Sequence, residues 1–165
     1  MKIAKTLLVS ASVVTSLLAV FCARAEVTLT TLVSFDGANG SEPWGGLVQG
    51  ADGDFYSTTS FGGAYGVGTV FKMSATGTLK TLYSFSLASG AQIPQAGLTL
   101  GTDGHFYGTT REAPPHSRGT IFRITTNGVL TVLFSFNGTN GAQPWNGPLV
   151  QGSDGFFYEI GRAHV

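Results

Sequence analysis

The sequence predicts an all-β fold built from tandem units of about 51 residues, each with four short antiparallel strands. The segment GADGDFYSTT, which begins at Gly50, recurs as GTDGHFYGTT at Gly101 and begins again at Gly152, 51 residues apart each time. The 24 glycines lie among β-branched and aromatic residues. This composition is typical of short strands joined by tight turns. No segment after residue 26 has the hydrophobic periodicity of a helix.

The four strands of each unit are predicted in a fixed order. A strand rich in β-branched and aromatic residues comes first, at residues 27–35, 78–85 and 129–136. A Gly/Asn-rich loop and a proline follow, and a short apolar strand then leads into an Asp-Gly turn. The Phe-Tyr-x-Thr-Thr strand comes next, and a strand that begins Gly-Thr-Val-Phe or Gly-Thr-Ile-Phe ends the unit.

A unit of about 50 residues with four antiparallel strands is typical of one blade of a β-propeller. A solenoid of sheets is the alternative. The units are predicted at about residues 29–81 and 82–132, with an incomplete unit at 133–158. Since propellers have roughly 4 to 8 blades, these units predict an incomplete propeller. Its open strand edges should make the isolated chain prone to aggregate.

The N-terminus has the pattern of an export signal. Lys2 and Lys5 precede an apolar stretch at residues 6–21, and Ala-Arg-Ala then ends at Ala25. The pattern predicts a helical signal peptide at residues 1–25, cleavage before Glu26, and a secreted or cell-surface protein. A membrane anchor is the alternative, but a spanning helix needs about 20 apolar residues. We therefore expect no membrane span in the mature chain.

Composition excludes several classes of protein. The net charge is zero and charged residues make up only 11% of the chain, so no basic surface for nucleic acid is predicted. A hydrophobic content of 42% is too high for a disordered chain. Cys22, the single cysteine, lies inside the predicted signal. The mature chain then has no disulfide; lipidation of Cys22 is the alternative, although Phe21 is not the small residue that lipidation requires.

The repeated Asp-Gly pairs predict hairpin turns, because Asp and Gly tolerate the positive φ angles that these turns need. Calcium binding by Asp52 and Asp54 is the alternative. The second carboxylate is replaced by His105 and then by Phe156 in the later units. The turn interpretation is therefore favoured, and no metal or cofactor is predicted.

Trp44 and Trp145 are the candidate ligand-binding residues. Each follows a proline at the same place in its unit, whereas the middle unit has Gln95 there. Aromatic rings on the loops of one propeller face could stack on sugar rings. Packing between blades is the alternative, since large aromatic side chains mostly serve cores. The predicted partner is accordingly a protein or a glycan.

No catalytic set is suggested by the sequence. His105, His116 and His164 have no metal-ligand spacing. No recurring carboxylate pair, phosphate loop or Ser-His-Asp set is present. We therefore predict a binding or structural scaffold that is not an enzyme. The alternative is a fragment of a propeller enzyme that acts on carbohydrate, with its catalytic groups in further blades.

The repeated unit resembles a known family. The pattern G-x-L-V-Q-G-x-D-G-x-F-Y-G-T-T, followed by G-T-V-F-K and T-L-Y-S-F, is similar to the bacterial tandem repeats called GloVer, also described as choice-of-anchor repeats. The resemblance covers residues 29–158. It implies a secreted or surface protein of β-propeller type, often with a C-terminal anchor, and no assigned activity. The chain departs from the pattern at Ser57 and in the loop that contains Pro114 and Pro115.

The last seven residues depart most from the repeat. After Tyr158 the pattern requires Gly-Thr-Thr, but residues 159–165 read EIGRAHV. This heptapeptide resembles a translated sequencing adapter. We therefore interpret it as an artefactual tail and expect the natural protein to continue with further repeats.

Overall fold

The computed structural model describes residues 29–113, 118–144 and 147–159. The predicted signal peptide lies outside these residues. The strands are β1 (Val48–Gln49), β2 (Phe55–Thr59), β3 (Thr69–Met73), β4 (Leu79–Ser84), β5 (Thr99–Leu100), β6 (Phe106–Thr110), β7 (Thr120–Ile124), β8 (Leu130–Ser135), β9 (Val150–Gln151) and β10 (Phe157–Tyr158). One 3₁₀ turn spans Leu87–Ser89. None of the described residues forms a helix long and apolar enough to cross a membrane.

The strands form two four-stranded sheets and one two-stranded pair. Sheet 1 has the order β1-β2-β3-β4 and sheet 2 the order β5-β6-β7-β8, while β9 pairs with β10. All neighbours are antiparallel. Both four-stranded sheets have a register shift at the same place, after Val70 and after Ile121. The all-β prediction and the tandem four-stranded units are therefore confirmed.

The predicted strand at residues 27–35 is wrong in its described part, because residues 29–35 pair with no other strand. The equivalent strand β4 pairs with β3, which precedes it in the chain; residues 29–35 have no such partner among the described residues. The segment nonetheless approaches the turn at Gly77 as closely as β4 approaches the turn at Gly128. A Cβ atom built on Gly77 would lie 2.5 Å from the carbonyl oxygen of Leu32, and one built on Gly128 would lie 2.5 Å from the carbonyl oxygen of Leu82. The segment thus takes the place of a fourth strand without its hydrogen bonds.

In each sheet the chain reverses at the two opposite ends of the strands, and these two sides are here called edges. The edge formed by the short turns, called the turn edge, contains residues 50–54, 74–78, 101–105, 125–129 and 152–156. The opposite edge, called the loop edge, contains residues 41–47, 60–68, 85–98, 111–113, 118–119, 136–144 and 147–149. The short turns repeat almost unchanged, whereas the long loops differ between repeats.

The core lies between consecutive sheets. The face of a sheet that points to the following repeat is called its trailing face, and the opposite one its leading face. Tyr56 on the trailing face of sheet 1 stacks on Phe106 on the leading face of sheet 2, with 4.1 Å between ring centroids, and both are fully buried. Phe85 meets Phe122 edge to face at 5.4 Å. Alternation along the Phe-Tyr strands therefore supplies one ring to each interface.

Polar bonds and a close backbone contact also join sheets 1 and 2. The hydroxyl of Thr58 donates to the Ala96 carbonyl at 3.0 Å. Near the first strands, a Cβ on Gly45 would lie 2.7 Å from the Cα of Gly97. Since no side chain fits between these two backbones, glycine is required where β1 and β5 approach each other.

A non-glycine residue with positive φ precedes each repeated proline. Glu42, Ile93 and Gln143 have φ angles of 56°, 54° and 50°. The left-handed region is costly for such residues, most of all for a β-branched one. The Ile93 amide donates to the Val67 carbonyl of the preceding repeat at 3.0 Å, and its carbonyl accepts from the Arg111 amide at 3.0 Å. These hydrogen bonds hold the strained residue in place.

Candidate binding site at the loop edge

The repeated aspartates of the turn edge hold their own turns. Asp52 Oδ1 accepts from the Asp54 amide at 3.3 Å, and Asp52 Oδ2 accepts from the Tyr56 hydroxyl at 2.6 Å. The hydrogen bond from Tyr56 lowers the pKa of Asp52. Burial, followed by the bond to Asp52, raises the pKa of Tyr56 to about 12. The same tyrosine-to-aspartate bond recurs in the other two repeats, from Tyr107 to Asp103 and from Tyr158 to Asp154.

A lysine occupies the place where the calcium alternative would put a cation. Lys72 Nζ lies 2.7 Å from Asp54 Oδ2 and 3.5 Å from Asp52 Oδ2, and 5.9 Å from the centre of the Tyr56 ring. Lys72 reaches them because its strand places it opposite Tyr56. The part of the chain that the structure describes contains no cluster of three or more His, Cys, Asp or Glu side chains suited to a metal. In the first repeat, the turn edge therefore contains ion pairs that support the sheet.

The candidate Trp44 lies on the loop edge and is 70% exposed. Its indole nitrogen donates to Glu42 Oε2 at 3.1 Å. The Glu42 carbonyl accepts from the amides of Trp44 and Ser60, both at 3.0 Å, and so ties this loop to the end of β2. The ring packs into no joint between described residues, unlike Gln95 at the equivalent place, whose Oε1 is buried. Trp145, the second candidate, lies outside the described residues.

An apolar cavity of about 440 Å³ opens on the same edge. It lies between the β2–β3 loop and the 3₁₀ turn after β4, and its lining residues are Tyr65, Val67, Ser86, Leu87 and Ala88. Tyr65 is 67% exposed and Leu87 is 71% exposed. Large apolar side chains so open to solvent mark a surface suited to a ligand.

Two local structures shape this cavity. On one side, the Gly62 amide donates to the Gly66 carbonyl at 3.3 Å, which closes a tight turn around Tyr65. On the other side, Ser86 and Ser89 exchange hydrogen bonds between their side chains and amides, both at 3.2 Å, and cap the 3₁₀ turn that carries Leu87.

Sequence reasoning missed Tyr65 and Leu87. The only available signal was a difference between repeats, because the equivalent positions hold His116 and Gly138. Tyr65 and Leu87 are 22 residues apart in the sequence and meet only when the strands between them have folded, so no local pattern predicts the cavity. The residues that line the cavity therefore differ in type from those at the equivalent positions, whereas the aspartate turns are common to all three repeats.

A family model described as the Gloeobacter/Verrucomicrobia repeat matches residues 19–164. That range contains residues 29–158, on which the resemblance to the GloVer repeats rests. The search of curated proteins found no match.

Proposed function

Because the chain belongs to the Gloeobacter/Verrucomicrobia repeat family, we propose that it is a secreted or cell-surface repeat protein that binds a ligand at its loop edge and catalyses no reaction. The observation that carries this proposal is the open apolar cavity between Tyr65 and Leu87. Loops that differ on a constant framework are the usual place for binding in such folds.

The two edges of the sheets differ in how their side chains are used. At the turn edge, the charged groups Asp52, Asp54 and Lys72 are engaged with one another. At the loop edge, Trp44, Tyr65 and Leu87 each leave two thirds or more of their surface exposed. The turn edge also has exposed apolar side chains, Val129 and Phe156, but these lie on different turns, whereas Tyr65 and Leu87 line the same cavity. This shared cavity favours the loop edge as the binding surface.

We also propose that the four-stranded units are blades of a β-propeller. Strands in sequential antiparallel order and sheets stacked face to face support it. The contact between Gly45 and Gly97 supports it further, because the first strands of neighbouring blades converge on a propeller axis. In that arrangement the loop edges of all blades lie on one face, and the cavity opens there.

The lining favours an apolar group of a protein ligand. Leu87, Val67 and Ala88 offer no hydrogen bonds from their side chains, and Ser86 is the one hydroxyl beside that of Tyr65. A glycan would instead use the exposed ring of Trp44 as a stacking surface. The two ligand classes therefore depend on different residues.

A binding screen with paired variants tests this proposal. The purified chain is screened against arrays of peptides and of oligosaccharides, and titration calorimetry then compares variants on each ligand found. Leu87→Asp should weaken peptide binding by about tenfold or more, whereas Ala75→Asp, at the exposed turn edge, should leave it unchanged. Loss of binding in Trp44→Ala but not in Leu87→Asp would assign the ligand to the glycan class. No binding on either array would contradict the proposal.

The proposed location has its own test. The protein is expressed with its N-terminus intact in an exporting bacterial host, and the N-terminal sequence of the exported product is read. Removal of the predicted signal peptide gives a chain that begins at Glu26. Retention of the whole protein in the cytoplasm would contradict secretion.

A further inference from the structure

The chain contains two copies of the motif Asn-x-Ser/Thr in which x is not proline. The first motif is Asn39-Gly40-Ser41 and the second motif is Asn137-Gly138-Thr139. In an exported protein this motif marks an asparagine whose side-chain nitrogen can receive a glycan. Both motifs have glycine in the middle and lie in the Gly/Asn-rich loop of a repeat, so their composition does not distinguish them. Their contacts in the structure do.

The side chain of Asn39 in the first motif is engaged in holding its loop. Its Nδ2 donates to the Ser34 carbonyl at 3.3 Å, and its Oδ1 accepts from the Asp36 amide at 3.0 Å. In the third repeat Asn140 makes the two equivalent hydrogen bonds. Asn39 is therefore part of the repeated framework, and its half-buried side chain is held against the chain.

The other residues of the first motif are also bound to their neighbours. Gly40 is buried, and a Cβ built on it would lie 2.5 Å from the Oγ1 of Thr59. The Ser41 amide donates to the Phe61 carbonyl at 2.8 Å, and the Phe61 amide donates to the Ser41 carbonyl at 3.1 Å. A glycosyltransferase must contact the asparagine and the hydroxyl residue of the motif together. It would have to detach this loop from the end of β2 to reach Asn39.

The second motif is open to solvent. Asn137 and Thr139 are both exposed, and a Cβ built on Gly138 would meet no atom closer than 3.7 Å. Asn137 Oδ1 accepts from the Thr139 hydroxyl at 2.8 Å and from the Thr139 amide at 3.0 Å. Within the described part of the chain, Asn137 Nδ2 donates no hydrogen bond. The carboxamide is therefore oriented through its oxygen, and its nitrogen is available to react.

The exposure of Asn137 does not depend on whether further strands follow it. Asp36 is the equivalent residue of the first repeat, where β1 to β4 follow, and it is exposed as well. Asp36 Oδ1 closes the same turn by accepting from the Asn39 amide at 2.9 Å, although Ala38 stands there in place of Thr139. The turn thus needs neither the amide of Asn137 nor the hydroxyl of Thr139.

From this difference we propose that Asn137 is an acceptor of an N-linked glycan and that Asn39 is not. The donor is a glycosyl pyrophosphate, and the catalyst is a glycosyltransferase that acts outside the cytoplasm. The bond between the sugar C1 and the phosphate oxygen breaks, and a bond between C1 and Asn137 Nδ2 forms. One amide proton is lost, and the pyrophosphate leaves. The site rests on the proposed export of the chain, and it is independent of the cavity between Tyr65 and Leu87.

Glycan transfer to the purified, folded chain is the test. The chain is incubated with a purified transferase that recognises Asn-x-Ser/Thr and with its lipid pyrophosphate-linked oligosaccharide, and mass spectrometry locates the product. One glycan should be found, on Asn137. Thr139→Ala, which matches Ala38 of the first repeat, should abolish transfer, and Thr139→Ser should retain it. Ser41→Ala removes the first motif and is the matched control, so it should leave transfer unchanged.

Peptides of residues 35–45 and 133–143 show whether the fold makes the selection. Both peptides should be glycosylated, because Asn39 is released from its loop when the fold is absent. Glycosylation of Asn39 in the folded chain, or a folded chain left unmodified at Asn137, would overturn the proposal. Because the reaction needs no export, a chain that is modified at Asn137 here but stays in the cytoplasm of an exporting host would contradict secretion and support the acceptor site.

Discussion

The ring of Tyr56 stacks on the ring of Phe106 in the next repeat, with 4.1 Å between their centroids. The hydroxyl of the same tyrosine donates to Asp52 in its own turn at 2.6 Å. Tyr56 therefore links the turn of its own repeat to the interface with the next sheet, because Asp52 fixes the position of the ring that the next sheet packs against. This explains why aspartate, glycine, phenylalanine and tyrosine recur together at a constant spacing.

Removal of the Tyr56 hydroxyl should weaken the fold while the stacked ring remains. We expect Tyr56→Phe to lower the free energy of unfolding by about 1 kcal/mol, since a hydrogen bond to a partly solvated carboxylate is lost. Tyr65→Phe, the same change on an exposed ring, should have no effect. Urea denaturation of both variants checks this. Equal stability of Tyr56→Phe and the wild type would show that the bond contributes nothing.

Stability should decrease in alkaline solution. Burial and the bond to Asp52 raise the pKa of Tyr56 to about 12 from an ordinary value of 10.0. The folded state thus favours the neutral tyrosine, and this contribution is fully present below pH 10 and is lost as pH rises toward 12. Parallel titrations of tyrosinate absorbance and circular dichroism measure it. Ionisation of every tyrosine near pH 10 without unfolding would contradict the prediction.

Two equivalent threonines should respond differently to the same substitution. Thr58 donates to the Ala96 carbonyl at 3.0 Å, whereas the buried hydroxyl of Thr109 has no partner among the described residues. Thr58→Val should cost about 1 kcal/mol, and Thr109→Val should be neutral or stabilise the fold slightly. Each variant is the control for the other in thermal denaturation. Similar losses of stability in both variants would mean that the hydrogen bond from Thr58 does not stabilise the fold.

Substitution of Gly108 by a residue with a side chain should destabilise the fold. A Cβ there would lie 2.6 Å from the ring of Phe122 and 2.9 Å from Leu98. The equivalent Ser57 is buried, and its hydroxyl lies within hydrogen-bond distance of the Gly45 and Gly46 carbonyls. Gly108→Ala should therefore cost about 1–3 kcal/mol through overpacking. Gly46→Ala, where a Cβ would meet nothing within 4 Å, should be neutral. A stable Gly108→Ala would show that Leu98 moves aside freely.

The strands of the second repeat were predictable because their signals are local. The Asp-Gly turn before Phe106 and the glycines that flank the later strands determine where the chain reverses. Residues 29–35 have the composition of a strand, but a strand also needs a partner, and composition does not supply one. The pairing of Lys72 with Asp54 likewise depends on the register of β2 and β3.

The candidate site was predictable only in part. Trp44 is recognisable as a large aromatic residue in a loop, and the structure places it at the exposed edge. Tyr65 and Leu87 come together only through the folding of sheet 1 and the 3₁₀ turn. Neither lies in a repeated motif. The features that repeat define the framework, and the proposed binding surface lies where the repeats differ.

Relief of backbone strain before Pro43 should stabilise the chain. Glu42 is exposed and has a φ of 56°, which is costly for glutamate, and a following proline restricts the residue further. Asparagine tolerates this conformation, so Glu42→Asn should raise the free energy of unfolding by about 0.5–1 kcal/mol. Glu42→Ala removes the same hydrogen bond with Trp44 but keeps the strained φ angle, so it should not raise the free energy of unfolding. Thermal denaturation of the two variants separates these effects, and an alanine variant as stable as the asparagine one would rule out strain at this position.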